Sequence, residues 1–403
     1  MTPSHHSKEF VFLMAMLMSM VALTVDAMLP ALAQIGESLN VANPNDNQLI
    51  IAAVFLGMAT GQMLYGPISD AYGRKPAIYL GIIIFLIGDL ISIFSQDFNT
   101  MLIGRVLQGM GAASCRVVTL AMIRDCFSGK EMAKVMSLIM LIFIMVPALA
   151  PSIGQMILWT GSWRAIFIFL CLFGFIGMVW LALRQPETLE KQQRIPLSFF
   201  NVWSGIKETL GHPLSRNYTF AGGIMFGAFV GYLSSAQQIL QFQYELGEWF
   251  SVYFGFLALS VGLASFANSR LVSHYSMEGL CTTALAVITA VSMIAACLIY
   301  GFEIEFSLWM VMTYLVTMFF GFGILFGNFN TLAVHPLGHI AGIANSVIST
   351  VQTLISVVVG ASIGQSYDGS VGPLVVGFAL CGMLSFFLIL YVRKRYMRQS
   401  ATV

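Results

Sequence analysis

Long apolar runs alternate with short polar stretches along almost the whole chain. A helix needs about 20 apolar residues to cross about 30 Å of hydrocarbon. Twelve runs reach that length, at about residues 10–30, 48–68, 77–94, 99–122, 132–157, 163–183, 218–241, 251–271, 279–301, 306–333, 341–364 and 371–392. They predict an all-α integral membrane protein with twelve transmembrane helices. A membrane β-strand, by contrast, is about ten residues of alternating polarity. The first run closes near Ala31-Leu32-Ala33, which imitates a signal-peptide cleavage site. It is longer than a signal-peptide core and carries Asp26, so it reads as a span.

The polar stretches give the runs an orientation. With the N-terminus taken as cytoplasmic, every Lys and Arg falls in a cytoplasmic segment except Arg105, Arg116 and Arg164. The opposite loops carry Glu37, Asp46, Asp97, Glu245, Glu248, Glu303, Glu305 and Asp368 and no Lys or Arg. This is the positive-inside pattern, and it supports an even number of spans with both termini cytoplasmic. The longest polar interruption, 184–217, contains a stretch around Phe199–Leu210 with amphipathic character. It divides the chain into a six-helix bundle over 1–183, a cytoplasmic linker over 184–217, and a second six-helix bundle with a short tail over 218–403. Two bundles joined in this way are one architecture of alternating-access transporters.

Composition narrows the class. Of 403 residues, 58% are hydrophobic and 9% charged, against about 25% charged in an average soluble domain. The net charge of +1 points to no nucleic-acid or acidic partner. The six cysteines show no C-x-x-C spacing and read as small packing residues. No P-loop is present, and no nucleophile–base or metal constellation stands out, so no enzyme, cofactor or metal is expected. His335 and His339 have the spacing of a metal pair, but Pro336 between them favours a plain loop. The expected partners are a small-molecule substrate, protons and membrane lipid, with the chain acting as a monomer.

Four charges lie inside spans: Asp26, Asp89, Arg105 and Arg116. Each costs roughly 2.5–3.5 kcal/mol on insertion scales, and such residues are usually functional. Between Arg105 and Arg116 the helix turns through about 1,100° and rises about 16 Å. The two therefore share one face, with Gln108 and Ala112 near the same side. That face must look into the bundle or a water-filled cavity.

Several short motifs add to this. The loop between the second and third spans reads Gly66-Pro67-Ile68-Ser69-Asp70-Ala71-Tyr72-Gly73-Arg74-Lys75-Pro76. Gly66 allows close helix approach and Gly73 a tight turn. Asp70 can pair with a cation or a helix N-terminus, and Arg74 and Lys75 suit an anionic leaflet. The fourth span carries Arg105-Val106-Leu107-Gln108-Gly109, the first carries Asp26, Pro30, Leu32 and Ile35, and the fifth Pro147-Ala148-Leu149-Ala150-Pro151-Ser152-Ile153-Gly154. Asn268-Ser269-Arg270-Leu271 and Gly323, Phe326, Asn328, Ala333, Pro336, Gly338, Ala341 and Gly342 follow in the second half. Together these resemble the major facilitator superfamily, in its twelve-span drug:H+ antiporter type. The loop matches the family signature G-x-x-x-D-x-x-G-R-K-P. The fifth span departs from the commonest antiporter form, G-P-x-x-G-G, and follows the P-x-x-A-P-x-x-G version of the bicyclomycin-resistance (Bcr/CflA) subfamily.

The resemblance implies a proton-driven exporter of drugs or related small molecules, such as bicyclomycin- or amphenicol-like compounds or acidic metabolites. It makes Gly66, Asp70, Gly73, Arg74, Lys75, Pro147, Pro151 and Gly154 elements of the conformational switch, and Asp26 with Arg105 the proton-coupling pair. Burial favours a protonated carboxyl and a nearby arginine the ionised one, so movement of Asp26 relative to Arg105 can switch its protonation. A permanent Asp26–Arg105 pair is the alternative. Arg116 is not demanded by the motif. It either meets an acidic or strongly polar substrate group, such as a siderophore carboxylate, or pairs with Asp89. Gln108, Tyr232, Gln237, Gln238, Asn328, Asn330 and Gln352 are further substrate-binding candidates that can equally tie helices together. An importer and a non-transporting receptor of the same fold remain alternatives.

Overall fold

The computed structural model describes residues 7–400. Every expected span forms, and the boundaries move by only a few residues. In the first unit, Met1–Phe199, the helices are α1 (Ser7–Asp26), α2 (Leu32–Ser38), α3 (Leu49–Tyr72), α4 (Arg74–Phe94), α5 (Phe98–Cys126), α6 (Gly129–Leu158) and α7 (Arg164–Arg184). In the second, Phe200–Val403, they are α8 (which begins one residue earlier, Phe199–Gly211), α9 (Pro213–Ala236), α10 (Phe250–Leu271), α11 (Met277–Gly301), α12 (Leu308–Val334), α13 (Ala341–Gln365) and α14 (Gly372–Ser400). The stretch 184–217, expected as a separate linker, is shared between the two units, and its amphipathic part is α8.

Many large apolar residues are exposed along the spans while several polar ones are buried, unlike in a soluble protein. On α4, Leu80, Ile83, Ile87, Leu90 and Phe94 form an exposed stripe, while Gly81, Gly88, Asp89 and Ser92 are buried. Lipid accounts for such a stripe; water does not.

The same three helix pairings occur in both units. The second span packs on the fourth, the first on the fifth and the third on the sixth: α3 on α5, α1 on α6 and α4 on α7. In the second unit these become α10 on α12, α9 on α13 and α11 on α14. Each unit is thus one copy of a common six-helix plan. Lipid supplies no hydrophobic drive between helices, so small residues that allow close backbone contact do the work. α5 lies between α3 and α4 in this way. A Cβ on Gly57 would sit 1.9 Å from the Val106 carbonyl oxygen, and one on Gly109 2.0 Å from that of Val54.

Two spans depart from a simple rod. The first run was expected to end near residue 30. Instead α1 stops at Asp26, a 3-10 turn covers Leu29–Ala31, and α2 resumes to Ser38. Pro30 explains both events. It has no N–H to continue α1, and at the start of a new helix that N–H is not required. The seventh span, α9, widens into a π-helical stretch over Gln237–Gln243. Pro147 and Pro151 sit inside α6 without ending it.

The tight α3–α5 contact makes a direct prediction. Gly57→Ala should yield little folded protein, because even a methyl group meets backbone at 1.9 Å. Gly342→Ala, which meets nothing within 4 Å, should behave as wild type. Monodispersity in detergent, read by fluorescence-detected gel filtration, distinguishes the two.

Candidate functional site

The break in the first span puts Asp26 at the end of a helix. Its side chain is 5% exposed. Among the described residues, no hydrogen bond or ion pair to its carboxylate is present. The carbonyls of the last helical turn lack helical partners, and Arg105 meets one of them: its Nη2 donates to the Thr24 oxygen at 2.9 Å. Arg105 is fully buried. Its Nε points to the Ile50 oxygen at 3.4 Å, and its Nη1 donates to Gln108 Oε1. The guanidinium also lies 5.7 Å from the Phe167 ring centre. Gln108 in turn donates from Nε2 to Asp89 Oδ1. Only this amide orientation serves both neighbours, since arginine can only donate and a carboxylate accepts. A buried chain therefore runs Thr24 carbonyl, Arg105, Gln108, Asp89. In this arrangement Arg105 does not pair with Asp26, and its counter-charge is Asp89, reached through one amide.

Asp89 is thereby committed to the Arg105 end of α5. Arg116 sits three turns away and half buried. No hydrogen bond or ion pair to its guanidinium is present among the described residues. The fifth span closes on the same region. Gly154 abuts the Ala27 carbonyl so tightly that a Cβ would lie 2.0 Å from its oxygen. The P-x-x-A-P-x-x-G stretch of α6 thus packs on the residue after Asp26.

The loop between α3 and α4 forms a second cluster. Gly73 has φ 111°, a conformation open to glycine and unfavourable for other residues. It lets α4 begin immediately after α3 ends. The bare N-terminus of α4 is then met by the Glu187 carboxylate, which accepts from the Arg74 and Lys75 backbone N–H at 2.9 and 3.1 Å. An anion suits this end of a helix dipole. The Arg74 side chain is buried against Asp125, with Nε to Oδ2 at 2.8 Å, and also donates to Ser69 Oγ at 2.9 Å and to Asp70. The Ile195 N–H donates to the Asp70 backbone oxygen at 3.0 Å. Lys75 Nζ reaches the Ala182 oxygen at 3.4 Å, and Gly66 accepts from Ser69 Oγ at 2.8 Å. Glu187 and Asp125 were not anticipated. Their signal was acidic residues at the otherwise basic end of the helices.

In the second unit the candidates separate. Asn328 exchanges two amide hydrogen bonds with Asn268, at 2.9 and 3.1 Å, which ties α10 to α12. Asn330 donates to Asn345 at 3.2 Å, which ties α12 to α13. Tyr232 is fully buried, its ring against Phe254 and Phe319. Gln237 donates to Gln241 at 3.0 Å within the π-helical stretch, and the Gln238 backbone oxygen accepts from the Tyr367 hydroxyl at 3.2 Å. Gln352 lies against Gly222. Sequence reasoning passed over Phe226, Phe229 and Phe322, which pack with the motif residue Phe326 as one aromatic cluster on α9 and α12. Their spacing of three to four residues on each helix carried the signal. His339 meets Glu208 at 2.6 Å rather than His335. Among the described residues, no group of three His, Cys, Asp or Glu side chains could hold a metal ion.

Comparison with known proteins gives this geometry a family. The Major Facilitator Superfamily profile matches residues 11–361. The chain is 28% identical over 409 residues to the bicyclomycin resistance protein homolog of Haemophilus influenzae, covering 96% of this chain and 97% of that one. It is 26% identical over 388 residues to the multidrug resistance protein MdtL of Vibrio parahaemolyticus, covering 92% of each. A crystal structure of a D-xylose-proton symporter shares the fold, with TM-score 0.71 and 14% identity over 94% of this chain and 95% of that one. The chain therefore belongs to the major facilitator superfamily, as a multi-pass membrane transporter alongside bicyclomycin- and multidrug-resistance relatives.

Proposed function

We propose that this transporter is a proton-coupled antiporter that exports small molecules by alternating access, with Asp26 as the proton carrier. The observation that carries the reading is the state of Asp26. It is a buried carboxylate at a helix break with no hydrogen bond or ion pair among the described residues, while the nearby Arg105 is engaged elsewhere. A carboxylate without a partner in an apolar interior is costly, and protonation removes that cost. Opening to water lets the same group release its proton. The proton gradient is then the only energy source required.

The positive-inside distribution of Lys and Arg supports an orientation with the 66–76 loop and the 184–217 stretch on the cytoplasmic side, and the bacterial relatives favour an inner membrane. There the Asp70–Arg74–Asp125 cluster and the Glu187 cap act as a latch that opens and reforms during the cycle. The Gly154–Ala27 contact passes movement of α6 to the residue beside the proton carrier. The named relatives favour drugs as cargo. Arg116 favours cargo with an acidic or strongly polar group, because a guanidinium offers a planar fork that matches a carboxylate. A dedicated exporter of a carboxylate siderophore or similar metabolite fits the same observation.

Proteoliposomes test both parts. Asp26→Asn should keep substrate counterflow but lose its response to an imposed pH gradient. Proton-driven transport by that variant at the wild-type rate would remove Asp26 from the mechanism, and absence of counterflow in the wild type would favour a receptor. A gradient of the opposite sign driving uptake would favour an importer. Arg116→Gln should weaken binding of carboxylate substrates about 10- to 100-fold, the range expected for losing a charge-assisted hydrogen bond, and leave neutral ones unchanged. Equal affinity for both classes would defeat the role of Arg116.

A further inference from the structure

The Asp89 end of the Arg105–Gln108–Asp89 chain has no role in the cycle proposed above. Asp89 lies at the α4–α5 contact, where Gly88 backs onto the Gly104 oxygen and the Gln108 amide nitrogen. It is fully buried. One of its oxygens accepts from Gln108 and the other, Oδ2, is buried with no hydrogen bond. A buried, half-satisfied carboxylate calls for an explanation. Helix packing alone would be served by an apolar side chain at this position, at no electrostatic cost.

The charges around it supply one. Arg105 needs a counter-charge in this fully buried position, and two carboxylates are available, Asp26 at the end of α1 and Asp89 on α4. If Asp26 served, the guanidinium would favour its ionised form and resist protonation. Here Arg105 is turned away. Its Nη1 faces Gln108, its Nη2 faces the Thr24 carbonyl, and the nearest anion in the chain of contacts is Asp89. We infer that Asp89, acting through Gln108, is a positioning residue that holds Arg105 off Asp26 and so sets the pH range in which Asp26 accepts a proton. This rests on Asp26 being the proton carrier.

Few other groups compete for that role. In the interior stretches of the helices packed around α1, α5 contributes Arg105, Cys115 and Arg116, α7 contributes Cys171, α3 contributes Tyr65, and α6 beyond Lys134 contributes no titratable side chain. Around Asp89, Arg105 and Cys171 are the charged or titratable neighbours on α5 and α7. The free Oδ2 of Asp89 matters here too. It gives Arg105 or Gln108 a second acceptor, so the guanidinium can shift during the cycle without losing its anion.

The test is the pH profile of proton-driven transport in proteoliposomes, measured against the pH of the proton-donating side. Asp89→Asn keeps an acceptor for Gln108 but removes the charge, and Gln108→Leu cuts the link. Both should move the half-maximal point to lower pH by about one unit or more, the size expected when a cation is released onto a carboxylate. An unshifted profile, including one in which the rate falls uniformly, would overturn the inference and assign Asp89 to packing. The two failures can be told apart. If Asp26→Asn keeps proton-driven transport, the proton-carrier reading falls. If Asp26→Asn uncouples while both other variants keep the wild-type profile, only the role of Asp89 falls. Infrared titration of the wild-type protein covers the case in which neither variant folds. One buried carboxyl should protonate across the transport range while Asp89 stays ionised; two buried carboxyls protonating together would overturn the inference.

Discussion

An unneutralised charge is costly in hydrocarbon, and the Asp26–Arg105 region of the first unit is organised by that cost. Arg105 is fully buried, and each donor group it extends meets an acceptor: two backbone carbonyls and the Gln108 oxygen. The carbonyl at Thr24 is available because α1 stops two residues later, at Asp26. The broken first span and the buried arginine are therefore parts of one arrangement. The break exposes a backbone oxygen, the arginine occupies it, and the carboxylate at the break is left alone.

Close helix packing keeps this arrangement in register. α5 carries Arg105, Gln108 and Arg116, and its glycines let the backbones of α3 and α4 come within contact distance. At such spacing Gln108 can span from Arg105 on its own helix to Asp89 on α4. A larger residue at Gly104 or Gly109 would push the helices apart and open that bridge. At the other end of the unit, Gly73 places the start of α4 directly after α3, and Glu187 and Asp125 hold it there. The two clusters are joined by α4 itself, which carries Arg74 at one end and Asp89 towards the other. If the Asp70–Arg74–Asp125 cluster opens as proposed, the helix that holds the counter-charge moves with it.

The positions of the spans were legible in the sequence because membrane thickness sets their length. So was the joint after the second span, because Asp70, Gly73, Arg74 and Lys75 are needed by the backbone and the charge pattern together. Three features were not. The continuation of the first span past Pro30 depends on proline starting a new helix, which hydropathy alone does not register. The Glu187 cap joins residues more than a hundred positions apart, and nothing in local pattern marks that contact. The partner of Asp89 depended on side-chain direction. Helical rotation put Gln108 near the Arg105 side of α5, but which of Asp26 and Asp89 would meet that side is decided by how α1 and α4 pack. In the second unit, Asn328 and Asn330 looked equally suited to substrate and to helix pairing, and both amides are taken by other asparagines.

In the proposed cycle Asp26 is protonated when buried and gives up that proton when the site opens to water and takes substrate. Proton exchange on binding tests it most directly, because binding that favours the ionised form of a group must release its proton in proportion. Purified protein in weakly buffered detergent solution should release about one proton per substrate bound, and Asp26→Asn should release none. No release from the wild-type protein, or an equal release from the variant, would contradict the account.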